Sequence, residues 1–151
     1  MESRKQITVF LENKPGRLAK VLAELAKHKI NIVALSVMDH QEHGVLRVVT
    51  DDQAASTRII SDLNSPFREA DVLEVELKNQ PGALAHVCEV LAAEHINIEY
   101  AYCSSGGRNG KVVGIFKVSN IEKAIRVLNE SPNHRRAESR PLRDQRTYRK
   151  G

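Results

Sequence analysis

The feature that most constrains this 151-residue chain is that much of it is written twice. Residues 10–32 match residues 76–98 without a gap. Asn13 pairs with Asn79, Pro15 with Pro81, Gly16 with Gly82, Leu18 with Leu84, Leu25 with Leu91, Asn31 with Asn97 and Ile32 with Ile98, all at the offset of 66 that separates 13 from 79. A unit this short, repeated once, cannot be a solenoid, which needs three or more units to bury a continuous core. It implies two tandem small domains, expected at 1–70 and 71–138, with a basic tail at 139–151. A chain of this length holds two domains of the smallest kind and excludes a large multidomain enzyme.

Both copies carry the same succession of patterns. Ile7, Val9 and Leu11 alternate with Thr8, Phe10 and Glu12, and Leu73, Val75 and Leu77 alternate with Glu74, Glu76 and Lys78. This period of two marks half-buried strands. Leu18, Val21, Leu22 and Leu25 then recur at helical spacing, as do Leu84, Val87, Cys88 and Leu91. Each helix is expected to open on its proline, where a missing N–H does no harm. Hairpins are expected from 30–38 with 45–50 and from 96–103 with 111–118, the second across a Gly-rich loop at 104–110. Second helices are expected over 53–63, with Ile59, Ile60 and Leu63 inward, and over 121–129, with Ile121, Ala124, Ile125 and Leu128 inward.

The order β-α-β-β-α-β is the ferredoxin-like split βαβ. The expected class is α+β: two tandem ferredoxin-like domains with antiparallel sheets and both helices on one face. The last strand of the first copy falls at 67–71, almost without a linker before Val72, so one continuous or kinked strand can serve both units. Its counterpart falls at 133–138, where His134, Arg135 and Arg136 make poor core residues.

The duplicated Asn-x-Pro-Gly-x-Leu-Ala, followed in each copy by Ile-Asn-Ile, resembles the ACT domain, a small ligand-binding module of amino-acid metabolism. The resemblance covers residues 6–138 and implies a stand-alone tandem ACT protein with no catalytic domain attached. It further implies a small ligand, commonly a free amino acid, held at an interface between domains, so that binding reports on their placement and regulates a metabolic enzyme. The physics of the motif agrees. Pro-Gly at a strand-to-helix turn leaves first-turn N–H groups without intrahelical partners at the positive end of the dipole, where a carboxylate fits. The candidate ligand-binding residues are Asn13, Pro15, Gly16, Arg17, Leu18 and Asn31, with Asn79, Pro81, Gly82, Ala83, Leu84 and Asn97 in the second copy. Helix capping is the competing role for Asn13 and Asn79, and ending a helix is the competing role for Asn31 and Asn97. Leu11 and Leu77 stand where some amino-acid-binding members carry histidine, so the ligand's identity stays open. The helix ends at His28-Lys29 and Glu94-His95 lack the usual glycine, a small cost if one residue of each adopts αL.

Charge is unevenly placed. Residues 1–132 hold 16 basic and 17 acidic side chains, whereas residues 133–151 hold 7 and 2. The alternative function is therefore nucleic-acid binding through the Arg-rich tail, with an affinity that falls with salt; the aromatic strand signature of RNA-recognition sheets is absent. Two cysteines are no disulfide framework, and no apolar run approaches the ~18 residues of a membrane span, so a cytoplasmic location without a membrane partner is expected. His40 and His43 share a hairpin loop without a cysteine partner or a counterpart in the second copy, and no metal is expected there. The stretch 105–111 resembles a phosphate loop but has Val112 where Ser or Thr belongs. No catalytic set recurs in both copies, so the expectation is a protein without catalytic residues or cofactor. Exposed sheet edges on units of ~70 residues argue for edge-to-edge pairing and a homodimer.

Overall fold

The alternating segments that open the two copies become the longest strands of the protein. In the computed structural model, residues 1–40, 42–104 and 111–131 are described. The loop at 105–110, the strand expected at 133–138 and the tail at 139–151 lie outside the described residues. The elements run β1 (Glu2–Glu12), α1 (Arg17–Lys27), β2 (Ile32–His40), β3 (His43–Thr50), α2 (Gln53–Asp62), β4 (Phe67–Lys78), α3 (Ala83–Ala93), β5 (Ile98–Ser104), β6 (Lys111–Val118) and α4 (Ile121–Glu130). All pairings are antiparallel in one six-stranded sheet of order β2-β3-β1-β4-β6-β5.

The join expected at residue 70 falls inside β4, which runs unbroken through both copies. Its first part pairs with β1 and its second with β6, from Leu73↔Phe116 to Lys78↔Lys111. β1 is shared in the same way: residues 7–12 pair with β3, while residues 2–9 pair with residues 67–74 of β4. The outer edge of β4, where a last strand of the second copy would pair, is therefore taken by β1 along all but its final four residues. Lys5 and Asp71, equivalent positions of the repeat, face each other in this ladder, their side chains 2.6 Å apart. The two-fold of the duplication thus passes between them. Asp71 holds the Lys5 ammonium above its ordinary value by hydrogen bond and charge.

Alternation sorts the sheet into two faces. Ile7, Val9, Leu11, Leu46 and Val48 close a core with Val21, Leu25, Ile59 and Ile60 of α1 and α2. Leu73, Val75, Leu77, Phe116 and Val118 close another with Val87, Leu91, Ala124 and Leu128 of α3 and α4, and Met1 packs against it. Leu18, Leu22, Leu63, Cys88, Ile121 and Ile125 are half-buried, and one expected core residue is exposed: Leu84, at 44%. Gly114 is needed for this packing, because a Cβ there would stand 2.8 Å from the Phe116 ring.

The other face is not left to solvent. The sheet twists and curls until its outermost strands, β2 and β5, meet across it. Ala34, Val49, Val72 and Ile115 are buried there with Tyr102 against them. At its centre the amide of Gln6, which has no exposed surface, donates to Tyr100 Oη at 2.8 Å and Thr8 Oγ1 at 3.1 Å, and accepts from Tyr102 Oη at 2.8 Å. Arg47 stacks 3.9 Å above the Tyr100 ring, and its Nη1 reaches Met38 Sδ at 3.0 Å. These contacts tie residues of the first copy to residues of the second. Burial, reinforced by the neighbouring Tyr100, pushes the Tyr102 phenol well above its ordinary value.

Candidate functional site

The Pro-Gly turns are built alike in both copies. The N–H of Arg17 donates to the Lys14 carbonyl at 3.4 Å, and that of Ala83 to the Gln80 carbonyl at 3.3 Å. Gly16 and Gly82 both have φ of 87°, with ψ of −9° and −11°. Proline followed by such a glycine, closed by an i to i+3 bond, is a type II β-turn, and it explains the dipeptide: only glycine takes this φ without strain. The prolines accordingly precede the helices instead of occupying their first positions, and the glycines are the N-caps.

No side chain caps α1 or α3. The capping role open to Asn13 and Asn79 is thus not the one they have; both are exposed. Lys20 and His86 donate their N–H groups to the Gly16 and Gly82 carbonyls at 3.0 and 2.9 Å, while those of Leu18, Ala19, Leu84 and Ala85 have no backbone acceptor among the described residues. A Cβ placed on either glycine would meet nothing within 4 Å, so the space beside each glycine is open. The first turn differs from the second in charge. Glu12 sits between Lys14 and Arg17, each at 3.2 Å, and the hydrogen bond from Lys14, with the charges of Arg17 and Lys14, holds its carboxyl below the usual range.

Asn31 and Asn97 are placed elsewhere. β2 starts opposite Thr50, whereas the turn at 13–16 follows Glu12, which pairs with His43 at the other end of the sheet. The N–H of Asn31 donates to Asp51 Oδ1 at 3.0 Å and that of Asn97 to Ser119 Oγ at 3.1 Å, so each backbone is tied to the end of the neighbouring strand. Pairing through β1 and β4 also sends the two Pro-Gly turns to opposite ends of the sheet. Within one chain, neither asparagine is brought to the turn of its own copy.

A pocket of about 90 Å³ lies beside the first turn, between α1, the end of β1 and the α2–β4 connection, lined by Phe10 to Glu12, Arg17, Lys20, Val21 and Leu63 to Pro66. Of the candidate ligand-binding residues named from the sequence, Arg17 alone lines it, together with Leu11, which stands where some amino-acid-binding members carry histidine. Its far wall was illegible in the motif, because Asn64, held at φ of 55°, comes from a connection 50 residues downstream. Among the described residues no group of His, Cys, Asp and Glu has metal-binding geometry, and no helix is long and apolar enough to cross a membrane. Burial pushes the Cys103 thiol above its ordinary value, which keeps it protonated.

Residues 3–137 match the family model described as ACT domain pair. Among solved structures, protein BT0572 from Bacteroides thetaiotaomicron is 37% identical, with a TM-score of 0.77 over 85% of this chain and 88% of that one. The ligand-free regulatory subunit of aspartate kinase from Thermus thermophilus has the same fold at 15% identity, with a TM-score of 0.62 over 86% of this chain and 93% of that one. No curated protein matches the sequence. Domains of this kind are regulatory, ligand-binding units and not catalytic ones. The duplicated motif, the single sheet it builds and the family match agree, and this chain belongs to the ACT domain pair family.

Proposed function

We propose that this protein binds a free amino acid at a Pro-Gly turn and, without catalysing a reaction itself, uses that binding to regulate a partner enzyme of amino-acid metabolism. The carrying observation is the turn: two first-turn N–H donors, Leu18 and Ala19, have no backbone acceptor among the described residues, and a Cβ on the adjoining Gly16 would meet nothing within 4 Å. Such a site favours a carboxylate. The exposed Asn13 side chain adds acceptor and donor capacity for the ammonium and carboxylate of the same ligand.

The working unit in this reading is a cytoplasmic homodimer. β2 is an outer strand with Leu35, Val37 and Met38 between 37% and 47% exposed, an apolar edge that a second copy would cover. Bound ligand at the turn then biases how the units sit, and the partner reads that placement. A thermal-shift screen with the twenty amino acids tests the reading. A ligand at 100 times its Kd adds about 2.7 kcal/mol. No shift with any amino acid at millimolar concentration refutes it.

A further inference from the structure

We infer that each chain holds one ligand, not two, and that its seat is the pocket beside α1, built for a small zwitterion with an apolar side group. This deepens the function proposed above and rests on it, adding to the turn's N–H donors, which do not themselves line the pocket, the charged side chains beside them that do. Leu11, Val21, Leu63 and Pro66 supply apolar wall, while Glu12, Arg17 and Lys20 supply charge. A carboxylate suits an ammonium group, and two cations suit a carboxylate. Lys20 has no ion pair among the described residues, and Arg17 commits only Nη2 to Glu12, so both retain donors for an incoming anion. The volume of about 90 Å³ takes on the order of six waters. That is the scale of a small amino acid.

The second copy keeps the turn and loses the charges. Lys78 stands at the position of Glu12, Ala83 at that of Arg17 and His86 at that of Lys20. Where Leu63 follows α2, Ser131 follows α4, and its Oγ lies 3.2 Å from His86 Nε2. Glu76, at the position of Phe10, is drawn into an ion pair with Lys111. Among the described residues, the positions held by Glu12, Arg17 and Lys20 in the first copy carry no carboxylate in the second. The duplication thus preserved the fold in both copies and the recognition set in one.

Titration calorimetry of the full chain against individual free amino acids tests this, using Lys20→Met and Glu12→Gln in the first copy and Lys78→Met and His86→Ala in the second. All four side chains but His86 are on open surface or at a strand end, and melting curves verify that each variant folds. The expected result is one ligand per chain, with affinity reduced about ten-fold or more by Lys20→Met and by Glu12→Gln, the scale of a lost charge-assisted contact. Lys78→Met and His86→Ala leave it unchanged. Two ligands per chain, or binding indifferent to Lys20 and Glu12, overturns the inference while amino-acid binding itself stands. No binding heat with any amino acid overturns both.

Discussion

Replacing Tyr102 with Phe removes one oxygen and tests whether the curled face of the sheet is held by its buried amide. Tyr102 Oη donates to Gln6 Oε1 at 2.8 Å, and Gln6 has no exposed surface from which to recruit water. The variant keeps its ring and so its packing, leaving a buried acceptor without a donor. That omission costs about 1–3 kcal/mol. For a chain of this size each kcal/mol moves Tm by roughly 2–4 °C, so Tyr102→Phe is expected to lower Tm by roughly 2–12 °C. A double-mutant cycle sharpens the test. Once Gln6→Met has removed the amide, the hydroxyl has no buried acceptor to satisfy, and Tyr102→Phe then costs less than it does in the parent by 0.5 kcal/mol or more, roughly the range for groups in contact. Chemical denaturation of the four proteins gives the coupling. A Tyr102→Phe variant as stable as the parent, with strictly additive effects, would refute the amide as a tie between the two copies.

Lys29 and His95 hold φ of 59° and 56° at the C-termini of α1 and α3, each closing a Schellman motif with the bonds Ile30 to Leu25 and Ile96 to Leu91; glycine there relieves αL strain, and Lys29→Gly or His95→Gly is expected to raise stability by about 0.5–1 kcal/mol in urea melts. Gly114→Ala drives a methyl group against the fully buried Phe116 ring and is expected to cost about 1–3 kcal/mol, whereas Gly16→Ala meets no atom and costs only the strain of its φ, about 1–2 kcal/mol. The raised Tyr102 phenol favours the folded state while it stays protonated. Its contribution is therefore intact below the unfolded value of about 10 and is lost as pH rises beyond it, so tyrosinate absorbance is expected to show one tyrosine ionising later than an ordinary phenol, together with unfolding.

Local patterns carried the elements. The period of two in Ile7, Val9 and Leu11, the helical spacing of Val21 and Leu25, and the repeat offset place nine of the ten described elements to within about two residues, while β1 begins five residues before its alternation does. What the sequence does not announce is sharing between the copies. Alternation says which side of a strand is apolar, but not that Glu2 to Lys5 of β1 would extend past its own unit to pair with Asp71 to Glu74. Nor does a polar Gln6 in an apolar strand announce a buried clamp, since its partners Tyr100 and Tyr102 lie on a strand about 95 residues away. The turn itself was legible because its chemistry is local: a type II turn wants proline then glycine. The pocket was not, because its walls combine α1 with the connection after α2. The prolines stand two residues before the first helical positions expected for them, for a related reason: the glycine's left-handed φ claims the N-cap between.

The most direct measurement is an amide NMR titration of the full chain with the amino acid that gives the largest thermal shift. If a carboxylate docks on the free donors of the first turn, the amides of Leu18 and Ala19 move and become protected from exchange, with Lys20 and the Leu63–Asn64 connection following, while Leu84 and Ala85 stay where they were. Saturating ligand that leaves the Gly16–Lys20 amides unmoved, or shifts spread evenly over both turns, would contradict recognition at the first Pro-Gly turn.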